Sequence, residues 1–280
     1  MCQLLGMNAN VPTDICFSFE GFCARGGKTD EHTDGWGIAF FEGPGCRLFL
    51  DDKPSVDSAI AHLVRHYPIH STNVIAHIRK ATQGPVALEN TQPFLREMWG
   101  SYWIFAHNGD LKDCPEPDSG FYLPVGTTDS EKAFCVILET LRRRFPDGKP
   151  SGPQLAGVLR EVSAGLAAKG TFNYVLSNGQ VLFAHCSTEL SYILRRAPFA
   201  TAHLIDEDLS VDFSKVTTPN DKVAVIATAP LTDNETWIPI PPGERVLLQV
   251  PFSLPSSCGC EDRLQYNHVE LDTSVTMALL

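Results

Sequence analysis

Cys2 is the residue whose position in this chain best suits catalysis. A small second residue permits removal of the initiator methionine, so the mature chain would carry a thiol and a free α-amine on Cys2. An α-amine with a pKa of about 7.7 to 8.0 can serve as a general base near neutral pH, so one residue could supply both nucleophile and base. The chain has 9 cysteines among 280 residues, however, so chance alone could also place one here.

Arg79 follows an apolar segment, residues 73–77, that predicts a buried strand, and a polar turn at 83–85 comes after it. The planar guanidinium can hold a carboxylate through two parallel hydrogen bonds. Arg79 is therefore a candidate for binding the carboxylate of an amino acid. The other interpretation is a surface arginine that pairs with any acidic side chain.

Asn108 and Gly109 follow a second predicted strand over 102–106. An amide side chain and an unhindered backbone N–H are the two kinds of donor that an oxyanion hole uses. The same dipeptide is also a strong signal for a hairpin turn, and both interpretations stay open. Asn178-Gly179, which lies between two other apolar runs, is interpreted as a turn alone.

Thr128 and Glu131 precede a helical pattern and have the spacing of a capping box. Asp129 then falls in the first turn of the helix, where the helix dipole favours a carboxylate. This accounts for Asp129 structurally. The functional alternative is that its carboxylate receives the ammonium group of a substrate.

Together these segments resemble the glutaminase domain of class II (N-terminal nucleophile) glutamine amidotransferases, and the resemblance covers nearly the whole chain. The motifs that carry it are Met1-Cys2-Gln3-Leu4-Leu5-Gly6, Arg25-Gly26-Gly27, His32-Thr33-Asp34-Gly35-Trp36-Gly37, Arg79-Lys80-Ala81-Thr82, His107-Asn108-Gly109 and Thr128-Asp129-Ser130-Glu131. The segment Ala227-Thr228-Ala229-Pro230-Leu231 with Asn234-Glu235-Thr236-Trp237 is also similar to a stand-alone bacterial subgroup of the family. Each motif alone is weak, but all of them in this order are specific.

The resemblance implies an α+β fold: a four-layer αββα sandwich of two antiparallel sheets between helix layers, the Ntn hydrolase fold. It also implies a role for each matching residue. These residues are Cys2, Asn108 and Gly109 for catalysis, and Arg79, Thr82 and Asp129 for substrate binding. Since a charged pair is costly to bury without its ligand, we expect the arginine and the aspartate to line a wet cleft.

The loop after Arg79 departs from the family pattern. Many relatives have Trp and His where this chain has Lys80 and Gln83, so this loop and the substrate range are expected to differ. Gly84-Pro85 joins a permissive residue to a rigid one, which is typical of a hinge. We predict a lid over residues 83–89, with an ordinary strand connection as the alternative.

Composition bounds the class of protein. The chain is 43% apolar and 20% charged with a net charge of -11, which allows one large core or two small ones and opposes nucleic-acid or anionic-membrane binding. The sequence shows neither an export signal nor a run of 18 apolar residues, so we predict a cytoplasmic protein with no membrane association.

We predict no metal site and no organic cofactor. Cys258 and Cys260 would supply only half of a tetrahedral site. His62, His66 and His70 have helical spacing, but a proline interrupts the helix before the third, so they indicate a polar helix face. The odd number of cysteines favours reduced thiols over a disulfide framework.

The apolar patterns predict many strands and three helices, which favours a layered α+β domain over alternating parallel units. The predicted strands are 2–7, 36–41, 47–50, 73–77, 102–106, 171–176, 181–186, 192–194, 223–227 and 245–250, and the predicted helices are 56–66, 129–145 and 154–169. We predict one glutaminase domain over 2–253 and a C-terminal tail over 254–280.

The implied activity is hydrolysis of the γ-amide of glutamine through a γ-glutamyl thioester on Cys2, with release of ammonia. We expect no synthase domain after the glutaminase domain, so ammonia would pass to a separate acceptor protein or to solvent. One alternative is an amidohydrolase of another γ-glutamyl amide. A second is a non-catalytic partner protein that binds glutamine or senses thiols.

Overall fold

The computed structural model describes residues 2–118, 120–249 and 276–279. Two antiparallel sheets pack face to face, and each carries two helices on its outer face. This is the four-layer α+β sandwich implied by the resemblance, so the predicted fold class is confirmed.

The strands are β1 (Gln3–Thr13), β2 (Trp36–Glu42), β3 (Gly45–Asp51), β4 (Ser71–Ile78), β5 (Phe94–Met98), β6 (Ser101–Leu111), β7 (Gly170–Ser177), β8 (Val181–His185), β9 (Ser191–Arg196), β10 (Thr201–His203), β11 (Ser210–Asp212), β12 (Lys222–Ala227), β13 (Ile238–Pro239), β14 (Arg245–Gln249) and β15 (Thr276–Leu279). One sheet has the order β13-β9-β12-β1-β4-β2-β3 and the other β15-β14-β8-β7-β6-β5. A separate two-stranded ribbon joins β10 and β11.

The helices are α1 (Cys16–Ala24), α2 (Ala59–His66), α3 (Asp129–Arg144) and α4 (Gly152–Ala167), with single helical turns at Ser55–Asp57, Leu88–Asn90 and Phe213–Lys215. The first two helices cover the seven-stranded sheet and the last two cover the six-stranded sheet. In the described part of the chain, no helix is long and apolar enough to cross a membrane.

Both faces of each sheet are buried, which explains the continuous apolar runs. In β1, Leu4 packs into the layer between the sheets with Ile75 and Ile104, whereas Leu5 packs under α1 and α2. Successive side chains of a strand point to opposite faces, so a central strand that is covered on both sides needs apolar residues at every position.

Most predicted elements are confirmed within a few residues, and the exceptions have physical causes. Helix α1 was not predicted, because its sequence is apolar around most of its circumference and lacks the stripe of an amphipathic helix. The predicted helix 56–66 is a single turn, Ser55–Asp57, followed by α2. Strand β5 was also not predicted, because it carries an arginine and a glutamate.

The two Asn-Gly dipeptides have different structures. Asn108 and Gly109 lie inside β6, where they pair with Asn173 and Phe172 of β7, so the hairpin alternative is wrong for this pair. Asn178 and its neighbours connect β7 to β8 over residues 178–180, as predicted for a turn. The Asn178 side chain accepts hydrogen bonds from two backbone N–H groups of this turn, and the glycine has a positive φ.

The C-terminal segment is more structured at its end than a tail. Strand β15 pairs with β14 at the edge of the six-stranded sheet, although it lies within the predicted tail 254–280. The domain boundary at 253 stays a prediction. Cys258 and Cys260 lie outside the described residues.

His62 and His66 lie on α2 with their rings stacked, 4.2 Å between centroids. His70 lies beyond the end of that helix. Across the residues that the structure describes, no three His, Cys, Asp or Glu side chains lie close enough together to hold a metal ion.

His77 is fully buried in β4, between β1 and β2. Burial, together with the nearby charges of His107 and Arg79, lowers the pKa of His77 to about 3. The folded protein therefore keeps this imidazole neutral, whereas the unfolded chain takes up a proton below about pH 6.5. Consequently the free energy of unfolding falls as the pH drops from about 6.5 towards 3.

We predict that His77→Gln weakens this acid sensitivity. At pH 5.0 the neutral histidine costs the wild type about 2 kcal/mol of stability relative to pH 7.5, because 1.5 pH units below 6.5 correspond to about 1.36 kcal/mol each. Urea unfolding of both proteins at the two pH values measures this difference. Any pH-independent loss from the substitution cancels in the comparison, and an unchanged pH dependence would contradict the assignment.

Candidate active site

Cys2 lies just before β1 with only 8% of its surface exposed. Its thiol contacts the backbone that follows β4: the Lys80 N–H donates to Sγ (3.3 Å), and the thiol lies 3.4 Å from the Lys80 carbonyl oxygen. The contact follows from strand register, since Gln3 pairs with Ile78 and the chain then continues past Cys2.

Burial raises the pKa of the Cys2 thiol. The Lys80 N–H and the positive charge of Arg79 act in the opposite direction, whereas the negative charge of Asp129 adds to the increase. A thiol with a raised pKa is protonated at neutral pH, so its attack on a carbonyl needs a base.

Arg79 directly follows β4, as predicted, but it does not line a wet cleft. It is 3% exposed, and its guanidinium donates to the carbonyl oxygens of Gln83 (2.9 Å), Gly84 (3.1 Å) and Pro85 (3.0 Å). The expectation was wrong because the loop after β4 folds over the guanidinium and supplies acceptors in place of water. Burial also lowers the pKa of Arg79.

Asp129 begins α3 and is buried as well, with 7% exposure. Its Oδ2 accepts the N–H of Leu111 (2.7 Å), which ties the start of the helix to the end of β6. The predicted cap is half present. Thr128 accepts the Glu131 N–H (3.2 Å), but the Glu131 carboxylate accepts instead from Gly126 N–H and from an arginine of β5.

Gly109 occupies a place that only glycine fits. A Cβ at this position would lie 1.8 Å from the Thr171 carbonyl oxygen and 2.5 Å from His107 Nε2. Its neighbour Asn108 is fully buried, with Nδ2 3.3 Å from Thr228 Oγ1. Within the described residues, Asn108 Oδ1 has no hydrogen-bond partner.

Thr82 is the one predicted site residue whose side chain is exposed. The backbone just before it is anchored, because the Ala81 N–H donates to Asp34 Oδ2 (2.7 Å). The structure therefore gathers Cys2, Arg79 and Asp129 into one electrostatic neighbourhood, while Thr82 lies on the surface of the loop.

Three residues that were given no role from the sequence stabilise this site: Arg25, His107 and Thr228. Arg25 is buried, pairs with Asp206 (2.8 Å) and donates to Gln3 Oε1 (3.3 Å), the residue after the candidate nucleophile. In the sequence, Arg25 is a single charged residue at the end of an apolar segment, and this is the only local feature that indicates its role. Thr228 belonged to a motif to which no role was given.

His107 is the third of these residues. Its Nδ1 lies 2.8 Å from Ser130 Oγ of α3, and its Nε2 lies 3.2 Å from the Thr171 carbonyl oxygen of β7. The ring therefore connects α3 to the six-stranded sheet. Burial lowers the pKa of this imidazole. Both ring nitrogens of His107 therefore take part in hydrogen bonds, and the residue lies within β6.

Comparison with known proteins gives a consistent result. The chain matches the family model of class-II glutamine amidotransferases over residues 1–263. It is 55% identical to YafJ of Escherichia coli (strain K12) over 244 residues, which cover 87% of this chain and 96% of YafJ. It is also 33% identical over 167 residues to a gamma-glutamyl-hercynylcysteine sulfoxide hydrolase of Mycobacterium tuberculosis, covering 59% of this chain and 64% of the hydrolase.

A solved structure agrees with the sequence comparison. The crystal structure of a predicted glutamine amidotransferase from Pseudomonas aeruginosa is 52% identical, with a TM-score of 0.70, and the match covers 88% of this chain and 96% of that one. The family match covers nearly the whole chain, including every residue of the candidate site. The chain belongs to the class-II glutamine amidotransferases.

Proposed function

We propose that this protein hydrolyses the γ-amide of glutamine through Cys2 and releases ammonia. The observation that supports this most directly is the setting of the thiol. Cys2 Sγ is held against the backbone of Lys80, and the charges of Arg79 and Asp129 both act on it. A nucleophile beside one cation and one anion suits a substrate whose far end is a zwitterion.

In this proposal the α-amine of Cys2 is the base, once Met1 has been removed. The amine takes the thiol proton as Sγ bonds to the amide carbon, and Asn108 and Gly109 donate hydrogen bonds to the resulting oxyanion. The amine then gives its proton to the leaving nitrogen, the C–N bond breaks, and ammonia departs. Water attacks the thioester by the reverse proton route, which yields glutamate and restores the thiol.

Two nearby histidines are poor alternatives as the base. Burial lowers the pKa of His107, and that of His77 falls to about 3. A base with so low a pKa has little driving force to remove a proton from a thiol whose own pKa is raised. The N-terminal amine, with an intrinsic pKa near neutrality, suits the task better.

Recognition in this proposal uses both ends of the α-amino-acid group. Arg79 binds the α-carboxylate and Asp129 binds the ammonium group. Three N–H donors of the guanidinium now bond to loop carbonyls, and a guanidinium has five such donors. A carboxylate can use the remaining two or displace a carbonyl, and displacement would require the loop to move.

The second candidate is hydrolysis of another γ-glutamyl amide. It is favoured by the similarity to the Mycobacterium tuberculosis hydrolase over 59% of the chain. The third is binding without turnover. Assays of ammonia, amine and glutamate release from glutamine and from a panel of γ-glutamyl amides, with intact-mass detection of an acyl adduct, separate the three. Turnover of glutamine supports the first candidate, turnover of another amide the second, and binding without either supports the third.

We predict that the activity depends on a free Cys2 amine. A chain that retains Met1 should be inactive although its thiol survives, because an amide nitrogen cannot accept the proton. Cys2→Ser should lose most of the rate, and Cys2→Ala should lose all of it while still binding substrate. The rate of the processed enzyme should rise with pH as the amine titrates. Full turnover by protein that mass spectrometry shows to retain Met1 would contradict the mechanism.

We predict that Arg79→Lys and Asp129→Asn each raise KM for the amino-acid substrate by about 10- to 100-fold. A hydrogen bond to a charged group contributes about 1.5 to 3 kcal/mol, and lysine cannot reproduce a bidentate fork. Steady-state kinetics measure the effect. The matched controls are Arg143→Lys and Asp118→Asn, an exposed ion pair at 2.7 Å, which should leave KM unchanged. If the Arg79 and Asp129 variants had the same KM as the two control variants, Arg79 and Asp129 would not bind the substrate.

We predict that residues 83–89 form a lid whose backbone N–H groups gain protection from hydrogen exchange when a glutamine analogue is bound. Two hydrogen bonds already restrain the first part of the loop: Gln83 Nε2 donates to Asp110 (2.5 Å), and Asn90 Nδ2 donates to the Pro85 carbonyl (3.1 Å). The turn at 178–180 serves as a control segment. Unchanged protection of the loop in a demonstrably occupied protein would rule out the lid.

A further inference from the structure

We propose that Thr228 is a positioning residue that sets the orientation of the Asn108 amide, so that Nδ2 and not Oδ1 faces the reacting carbonyl. This inference rests on the proposed function, in which Asn108 is an oxyanion donor. It assigns a role to a threonine of the segment between β12 and β13.

Thr228 extends the ladder between β12 and β1 with its side chain. Strand β12 ends at Ala227, which pairs with Leu5. The Thr228 N–H then donates to the Leu4 carbonyl (3.1 Å), and Leu4 N–H donates to Thr228 Oγ1 (2.9 Å). The Thr228 hydroxyl therefore accepts the Leu4 N–H, which a backbone carbonyl would accept if β12 continued. This contact lies at the end of β1 that is next to Cys2.

The same hydroxyl contacts the other sheet. Asn108 is on β6, and its Nδ2 lies 3.3 Å from Thr228 Oγ1. With the amide in this orientation the hydroxyl would accept two hydrogen bonds and use its proton for neither. The buried Asn108 Oδ1 also lacks a partner among the residues described.

Rotation of the Asn108 amide by 180° corrects both mismatches. A hydroxyl can accept from one group and donate to another, so Thr228 accepts from Leu4 N–H and donates its proton to Oδ1. Amide oxygen and nitrogen are assigned from the hydrogen-bond network. The rotated form satisfies both the hydroxyl proton and Oδ1, and it leaves the Nδ2 N–H groups without an acceptor among the described residues until a ligand supplies one. Nδ2 then lies on the side away from Thr228 and presents an N–H donor. A carbonyl oxygen in that place would repel a developing oxyanion.

The backbone beyond Thr228 is held in place by Arg25. This buried guanidinium donates to the carbonyl oxygens of Ala229 (3.1 Å) and Pro230 (2.5 Å) and pairs with Asp206 (2.8 Å). Since these groups fix the chain on one side and Leu4 fixes it on the other, the hydroxyl has little freedom to turn away from Asn108. A rigid partner is what the orientation of a catalytic amide requires.

Thr228→Val tests the role, because it keeps the shape of the side chain and removes the hydroxyl. We expect kcat with the turned-over γ-glutamyl amide to fall by about 100-fold or more, as when one oxyanion donor is lost, with KM changed by less than about threefold. Thr228→Ser should restore kcat to within a few-fold of the wild type. A proportional change in KM, or a failure of serine to rescue, would overturn the proposal.

Ser177→Ala is the matched control. The Ser177 hydroxyl also accepts from a backbone N–H, that of Gly179 (3.0 Å), and lies 3.4 Å from an asparagine oxygen, Asn73 Oδ1, at the far end of β7. Its removal should cost comparable thermal stability but leave kcat unchanged. A kcat loss in Thr228→Val no larger than that in Ser177→Ala would show that the threonine matters only for stability.

A structural measurement on the wild type separates this inference from the proposed function. A crystal structure at about 1.0 Å distinguishes amide oxygen from nitrogen and needs no variant to fold. Asn108 Oδ1 facing Thr228 supports the proposal, and Nδ2 facing Thr228 overturns it. If the wild type turns over no γ-glutamyl amide, the proposed function fails, while the amide orientation is still decided by the structure.

Discussion

The position of β1 between β4 and β12 is the constraint on which the candidate site depends. Pairing of Gln3 with Ile78 brings Arg79 and the residue after it beside Cys2. Pairing on the other side brings Thr228 to the same end of the strand. A shift of one residue in either register would turn every side chain of β1 to the opposite face, and the apolar packing on both faces opposes such a shift. The core of the sandwich therefore holds the candidate nucleophile Cys2 in place.

The second constraint is the burial of charge. Arg79 and Asp129 are both nearly inaccessible, and removal of an ion from water costs several kcal/mol even after the protein relaxes. The protein offsets this cost with backbone groups: three carbonyl oxygens of residues 83–85 for the cation and the Leu111 N–H for the anion. These are neutral groups, so an ionised carboxylate or ammonium would interact more strongly with each charge. In the proposed function, a zwitterionic ligand would add ionised partners to these neutral ones.

The sequence predicted those parts of the site that are determined by residues close together in the chain. The cap at Thr128 and the first-turn position of Asp129 follow from helix chemistry within a few residues. Asn108 remained ambiguous because the same dipeptide suits a turn or a strand, and pairing with β7 decides between them. The cleft prediction failed because the loop that buries Arg79 is stabilised by contacts between its own backbone and that side chain. Thr228 was beyond reach, since 224 and 120 positions separate it from its two partners.

In the proposed function, the charge balance of the candidate site determines which part of a substrate it selects. The chain carries a net charge of -11, yet the candidate site contributes one cation and one anion, and burial keeps the nearby imidazole of His77 neutral. A protonated imidazole beside Arg79 would add a second positive charge and favour anions over zwitterions. In the proposed function, the neutral histidine leaves one cation and one anion, Arg79 and Asp129, to bind an α-amino-acid group. In the proposed function, glutamine and other γ-glutamyl amides present the same α-amino-acid group. Discrimination among them would then depend on the residues beside the leaving amine, near the Cys2 thiol that contacts the Lys80 backbone.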